Sequence, residues 1–235
     1  MKMKTVLVTG ANRGIGFAIV QKLLKNNYKV IAISKSTNNL YNIKNKNLMI
    51  YKCNIENKKQ LKKIEKYINE NEIKVDILIN NLGIGCFDKI EKITIEEFER
   101  VIFCNLVVPF YMTKILLPEM KNRNWGRIIM IGSNASFLPE INGSAYCASK
   151  FGLRGLCECI KKEIESYNIF ISMVNPGRVD TWFNNKKPGD RILALSAEEV
   201  ADQVVFILSQ SDCCNIEYIN LSHSKVDPIS RFSVS

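Results

Sequence analysis

The sequence predicts a single α/β domain of the doubly wound type, a seven-stranded parallel sheet with helices on both faces. Three observations predict it. Short aliphatic or β-branched runs alternate with longer amphipathic segments over residues 1–235. The first run leads into a glycine-rich turn that opens a helix. Others, such as Asp76-Ile77-Leu78-Ile79-Asn80, are continuously apolar, as a parallel strand covered on both faces must be. At 46% hydrophobic residues the chain can fill one sizeable core and is too short for two ordinary domains.

In order, Thr5–Thr9 is the first strand, and Gly10-Ala11-Asn12-Arg13-Gly14-Ile15-Gly16 follows it, spaced Gly-x-x-x-Gly-x-Gly. Residues 17–25 then read as an amphipathic helix. Strand, glycine turn and helix together make a phosphate-binding turn credible, because the glycines let the backbone approach a pyrophosphate held by amides and the helix dipole. Residues 28–33 and 48–51 are strands, and 58–71 a helix with Leu61, Ile64 and Ile68 inward. Residues 76–80 are the fourth strand, running into Asn81-Leu82-Gly83. Thr94 and Glu97 form a capping box that opens a helix reaching about residue 123. That helix carries Asn105, and Pro109 or Pro118 can kink it. Gly126–Ile131 is the fifth strand, ending at Gly132-Ser133.

The helix over 145–167 is apolar on more than one face, through Phe151, Leu153, Leu156, Ile160 and Ile164. It therefore needs cover from the sheet and from a partner subunit. Near its start Tyr146 and Lys150 stand four residues apart, on one helix face. A phenol titrates near ~10, and a neighbouring cation lowers that value. Of the eight tyrosines, Tyr146 alone has a lysine at that spacing. Residues 169–174 are the sixth strand, ending Asn175-Pro176-Gly177, and 184–195 a polar loop. Ala197–Leu208 is a helix capped by Ser196 and Glu199, and 216–221 the seventh strand.

Composition excludes several functions. The net charge of +10 comes with many asparagines, as in Asn38-Asn39, Asn42, Asn45 and Asn47. We read it as a solvated surface, and no nucleic-acid motif accompanies it. No uninterrupted apolar run approaches the ~20 residues of a membrane span, and Met1-Lys2-Met3-Lys4 lacks signal-peptide character. A cytoplasmic protein without membrane or nucleic-acid partners is expected. The eight cysteines (Cys53, Cys86, Cys104, Cys147, Cys157, Cys159, Cys213, Cys214) include no Cys-x-x-Cys, so buried reduced thiols and no metal are expected. A Ser-His-Asp hydrolase would have to use His223, the one histidine, with no nucleophile elbow upstream.

These motifs, in this order, resemble the short-chain dehydrogenase/reductase family, with its Rossmann-type fold. The match runs from Thr9-Gly10 through Gly14-Ile15-Gly16, Asn80-Asn81-Leu82-Gly83, Asn105, Ser133 and Tyr146-x-x-x-Lys150 to Pro176-Gly177-Arg178-Val179-Asp180-Thr181. The resemblance implies a catalytic set of Asn105, Ser133, Tyr146 and Lys150. Tyr146 would protonate a carbonyl as hydride arrives, with Ser133 on the same oxygen. Lys150 would lower the Tyr146 pKa and hold the nicotinamide ribose, and Asn105 would hold a water leading to solvent. It also implies cofactor contacts from Gly10, Asn12, Arg13, Gly14, Ile15, Gly16, Ser34, Lys35, Asn54, Ile55, Asn81, Gly83, Pro176, Gly177, Val179 and Thr181, besides Tyr146 and Lys150.

The sequence departs from the family pattern at Leu82 for the usual Ala, Gly132 and Ser136 for the common Ser and Gly, and Asn54 for an Asp. The segment 223–235 lacks the frequent Val-Asp-Gly-Gly ending. The cofactor is expected to be NADP(H), because the second strand ends in Ser34 and Lys35 where an NAD enzyme places an acid. Arg13 and Lys35, two cations with no carboxylate, would seat a 2′-phosphate. The resemblance implies a carbonyl reductase or alcohol dehydrogenase, with 3-oxoacyl thioester reduction the commonest role expected from it and a catalytically silent cofactor-sensing or scaffolding protein the competing reading. Residues 182–195 are expected to form a mobile lid with Trp182 lining the substrate, and the chain to form a homodimer or homotetramer.

Overall fold

A computed structural model describes residues 3–225. Its sheet has the strands β1 (Thr5–Thr9), β2 (Lys29–Ser34), β3 (Leu48–Lys52), β4 (Ile77–Asn80), β5 (Gly126–Ile131), β6 (Ile169–Pro176) and β7 (Tyr218–Leu221). All pair in parallel, in the order β3-β2-β1-β4-β5-β6-β7. The chain leaves β3 at one edge and re-enters at β4 beside β1, so the direction of winding reverses there. A cleft opens at such a reversal, beyond the carboxyl ends of the strands.

The helices are α1 (Gly14–Lys25), α2 (Asn38–Tyr41), α3 (Lys58–Glu70), α4 (Ile95–Ile102), α5 (Val108–Asn122), α6 (Ser144–Glu163) and α7 (Ala197–Leu208). Two cores follow from the two covered faces. On one, Leu7, Ile31, Leu78, Ile128 and Ile171 meet Leu61 and Ile64 of α3, Met112 of α5 and Leu153 of α6. On the other, Val8, Val30, Ile79 and Val174 meet Ile19 and Leu23 of α1 and Val200 and Val204 of α7. Alternate residues of one strand thus serve opposite cores, which is why those strands read as unbroken apolar runs.

The capping boxes at Thr94 and Ser196 both form. The long helix expected from residue 94 to about 123 is interrupted by a π-helical segment, Phe103–Val107. Pro109 explains it: with no N–H, it cannot close the ordinary i→i−4 bond to the Asn105 carbonyl. Pro118, by contrast, lies inside α5. Taken as one rod, Ile95–Asn122 is long and apolar enough to cross a membrane by length and composition. Here Val101, Val108, Met112, Leu116 and Met120 are buried in the fold. The cysteines split between buried (Cys53, Cys104, Cys147, Cys157), intermediate (Cys86) and exposed (Cys159, Cys213, Cys214), so the expectation of buried thiols holds for four of the eight. Residues 226–235, most of the carboxyl-terminal segment singled out in the sequence, lie outside the described residues.

Candidate active site

The cleft encloses about 1390 Å³ and runs across the strand ends from Lys35 and Asn54 to Tyr146 and Phe183. Its middle is built by a clamp between β1 and β4. The Asn81 side-chain amide donates to the carbonyls of Thr9 (2.9 Å) and Gly10 (3.2 Å). The main-chain N–H groups of Asn81 and Leu82 donate to the Thr9 hydroxyl at 3.0 and 3.1 Å. Drawn in this way, the turn has no room for a side chain at Gly16. A Cβ on Gly16 would stand 2.4 Å from the Gly10 carbonyl oxygen and 2.5 Å from Asn81 Nδ2, and Gly10 itself has φ +67°. The turn thus leaves the amino end of α1 open, where an anion is favoured, with Arg13 exposed beside it.

The structure brings Ser133, Tyr146 and Lys150 to one end of the cleft, with Asn105 buried behind the loop after β4. Asn105, Ser133, Tyr146 and Lys150 are all buried. Ser133 ends the β5 turn, and Tyr146 and Lys150 lie on α6. Burial is the largest influence on the Tyr146 phenol and pushes it above its ordinary value, against a smaller lowering by the Ser133 hydroxyl. Lys150 Nζ donates to the Ile131 carbonyl at 2.9 Å and lies 5.8 Å from the centre of the Tyr146 ring. Burial pulls the ammonium down to about 8. The upward shift runs against the expected lowering by Lys150: burial leads, and the lysine, tied to a carbonyl, is not among the groups that move the phenol. The phenol therefore keeps its proton at neutral pH.

Asn105 is committed through its side chain. Its Oδ1 accepts from Ile84 N–H (2.9 Å), and its Nδ2 donates to the Ile84 carbonyl and to Ser149 Oγ, both 2.9 Å. The loop after β4 is thereby pinned to the π segment. Gly132 and Ser136, the departures beside Ser133, are explained together. A Cβ on Gly132 would fall 2.1 Å from Asn175 Oδ1, while Ser136 Oγ accepts the Ser133 N–H at 3.2 Å.

At the other end, Ser34, Lys35, Asn54 and Ile55 line the cleft, with Arg13 on the turn. Asn12 lines it too, but its side chain is occupied: Oδ1 accepts from Asn39 and Leu40 N–H, and Nδ2 donates to Ser36 Oγ. The expectation of two cations without a carboxylate is corrected. Glu56 stands 2.7 Å from Lys35 Nζ and 2.8 Å from Arg100 Nη2. Nothing local marked it, since its partners lie at residues 35 and 100.

Pro176, Gly177, Val179 and Thr181 line the cleft opposite the glycine turn, and Thr181 packs where Gly14 leaves room. Trp182 lines the cleft, yet the aromatic rings against Tyr146 are Phe87 at 5.0 Å and Phe183 at 5.6 Å. Trp182 is 42% exposed at the rim. Phe183 follows it directly, and Phe87 sits in the loop after β4, a position no motif singles out. The loop 182–195 is held by Arg191, which donates to the carbonyls of Thr181 (2.7 Å) and Phe183 (2.5 Å). Asp180 accepts from Gly189 N–H at 2.6 Å.

Comparison with known proteins agrees with this geometry. The model of the short chain dehydrogenase family matches residues 4–191. A 3-oxoacyl-[acyl-carrier-protein] reductase of Buchnera aphidicola subsp. Schizaphis graminum is 32% identical over 223 residues, covering 89% of this chain and 91% of the relative. An alcohol dehydrogenase from the archaeon Thermococcus sibiricus, complexed with 5-hydroxy-NADP, superposes with a TM-score of 0.89 at 25% identity, covering 97% of this chain and 99% of that one. The closed form of a serine dehydrogenase complexed with NADP+ gives 0.85 at 28% identity, over 92% of this chain and 94% of that one.

Proposed function

The chain belongs to the short-chain dehydrogenase family, and we propose on that premise that Tyr146 donates the proton when this NADP(H)-dependent oxidoreductase reduces a carbonyl to an alcohol. The convergence of Ser133, Tyr146 and Lys150 in one cleft with a glycine turn that admits no side chain at Gly16 carries this reading. The turn, with Arg13 beside it, fits a dinucleotide, which when bound supplies or accepts the hydride. The chain's own residues do the rest. Ser133 and Tyr146 hold the carbonyl oxygen between two hydroxyls, and the phenol passes it a proton. Lys150 carries a charge to the far side of that route and would hold the nicotinamide ribose of a bound dinucleotide. The Asn105 side chain is fully spent, so the group left to hold a water toward Lys150 is its main-chain carbonyl, to which Pro109 returns no N–H.

Phe87 and Phe183 give the reacting end apolar walls, which suits the 3-oxo end of an acyl thioester over a strongly hydrated sugar. The likeness to a 3-oxoacyl-[acyl-carrier-protein] reductase supports an acyl group on a carrier. Measuring NADPH absorbance against ketones and 3-oxoacyl thioesters tests this reading. Turnover fastest on the thioesters is expected; no turnover on any carbonyl would leave a cofactor-sensing protein instead.

Two further readings rest on exposed aromatics. Val107, Phe110 and Phe151 stand 39%, 49% and 41% exposed on the outer side of the helices that carry Asn105 and Tyr146. We assign that apolar face to a second copy of the chain, giving a homodimer or a tetramer of dimers; a monomer by light scattering at micromolar concentration would reject it. Residues 182–195 we assign to a lid. The loop carries positive φ at Asn184, Asn185, Leu193 and Gly189, and it is held by the Phe183 ring on Phe87 and Tyr146, by Arg191 and Asp180, and by Leu195 paired with Val179 at its end. Trp182 fluorescence should shift when NADP+ and substrate bind together, and an unchanged spectrum with unchanged amide exchange in the loop would count against closure.

A further inference from the structure

We propose that Glu56 sets the strength of the preference for NADP(H) by competing with the cofactor's 2′-phosphate for Lys35. The inference rests on the NADP(H) reading above. Lys35 directly follows Ser34, the last residue of β2, where the adenosine ribose of a bound dinucleotide carries its distinguishing group. Its ammonium is turned instead to Glu56, at 2.7 Å. Glu56 comes from the turn after β3, and its second oxygen takes Arg100 of α4 at 2.8 Å. All three line the same end of the cleft. The carboxylate is well covered, 14% exposed, while Lys35 and Arg100 are 55% and 60% exposed. Both cations hold its carboxyl below the usual range, so it is charged at neutral pH.

A 2′-phosphate entering beside Lys35 meets this arrangement in one of two ways. Either Lys35 leaves Glu56 to pair with the phosphate, or it stays and the phosphate sits near a like charge. Each opposes binding of the phosphate and neither touches a 2′-hydroxyl. Arg100 limits the effect, because it shares the carboxylate's charge and weakens its hold on Lys35. Glu56 and Arg100 therefore push the preference in opposite directions, although neither stands at the end of β2.

The test is the dissociation constants of NADPH and NADH for wild type, Glu56→Gln, Arg100→Gln, Lys35→Met and the Lys35→Met/Glu56→Gln double variant. Glu56→Gln is expected to tighten NADPH about five-fold, the upper end for an exposed charge pair, and to move NADH by less than about two-fold. Arg100→Gln should weaken NADPH by about two- to five-fold. In the Lys35→Met background the Glu56→Gln gain should vanish, since the contested cation is gone. Thermal unfolding and the NADH constant show whether a variant is folded, and the Arg100→Gln arm keeps the test alive if Glu56→Gln is not. A Glu56→Gln that leaves NADPH binding unchanged or weaker, or a gain that survives Lys35→Met, overturns the proposal. Equal wild-type affinities for NADPH and NADH would overturn the cofactor reading itself, a distinguishable result.

Discussion

Replacing Tyr146 by Phe is expected to lower turnover by about 10²–10⁴-fold while leaving NADPH binding intact, the range set by loss of a positioned acid. The ring stays in its aromatic pocket with Phe87 and Phe183, so packing is kept and only the hydroxyl is lost. Stopped-flow turnover with cofactor titration reads both effects, and activity within about threefold of wild type would sink the assignment. The pH profile bears on the same pair. Lys150 titrates at about 8 in the fold, brought down by burial from 10.5. Its charge is present below that pH and lost above it, so carbonyl reduction should decline as pH rises through about 8. The stability sign is the opposite. Between about 8 and 10.5 the unfolded chain holds a proton that the fold has shed, so this group's contribution to stability rises with pH across that window.

Asn105→Ala should cost about 3 kcal/mol of stability, from burying the Ile84 N–H and carbonyl and the Ser149 hydroxyl with a partner removed. The residue is fully buried, and its amide makes three hydrogen bonds at 2.9 Å, two of them to one backbone unit. For a chain of this size the unfolding midpoint should fall by roughly 6–12 °C. Activity should fall with it, because the loop after β4 is released from the catalytic floor. Calorimetry on wild type and variant checks the first effect. A midpoint shift under about 2 °C would mean that the loop holds its place without the amide.

Much of this site was legible in the order of residues alone. Strand ends, the glycine turn, Tyr146 and Lys150 on one helical face, and the capping boxes at Thr94 and Ser196 all depend on neighbours within a few positions. Local spacing and residue chemistry decide such features, so the alternation of strands with helices and the pairing of Tyr146 with Lys150 are legible in the sequence, whereas Asn105 and Ser133 are singled out only through the family resemblance. The tertiary structure alone decided what depends on distant partners. Glu56 became a competitor for Lys35 because the turn after β3 and helix α4 meet the end of β2. Phe87 and Phe183 came to face Tyr146 across loops separated by about a hundred residues. The shift of the Tyr146 phenol upward, against the expectation from its lysine, followed from how completely the fold takes that hydroxyl out of water. A spacing of four residues fixes which groups are neighbours, but desolvation is set by everything packed around them.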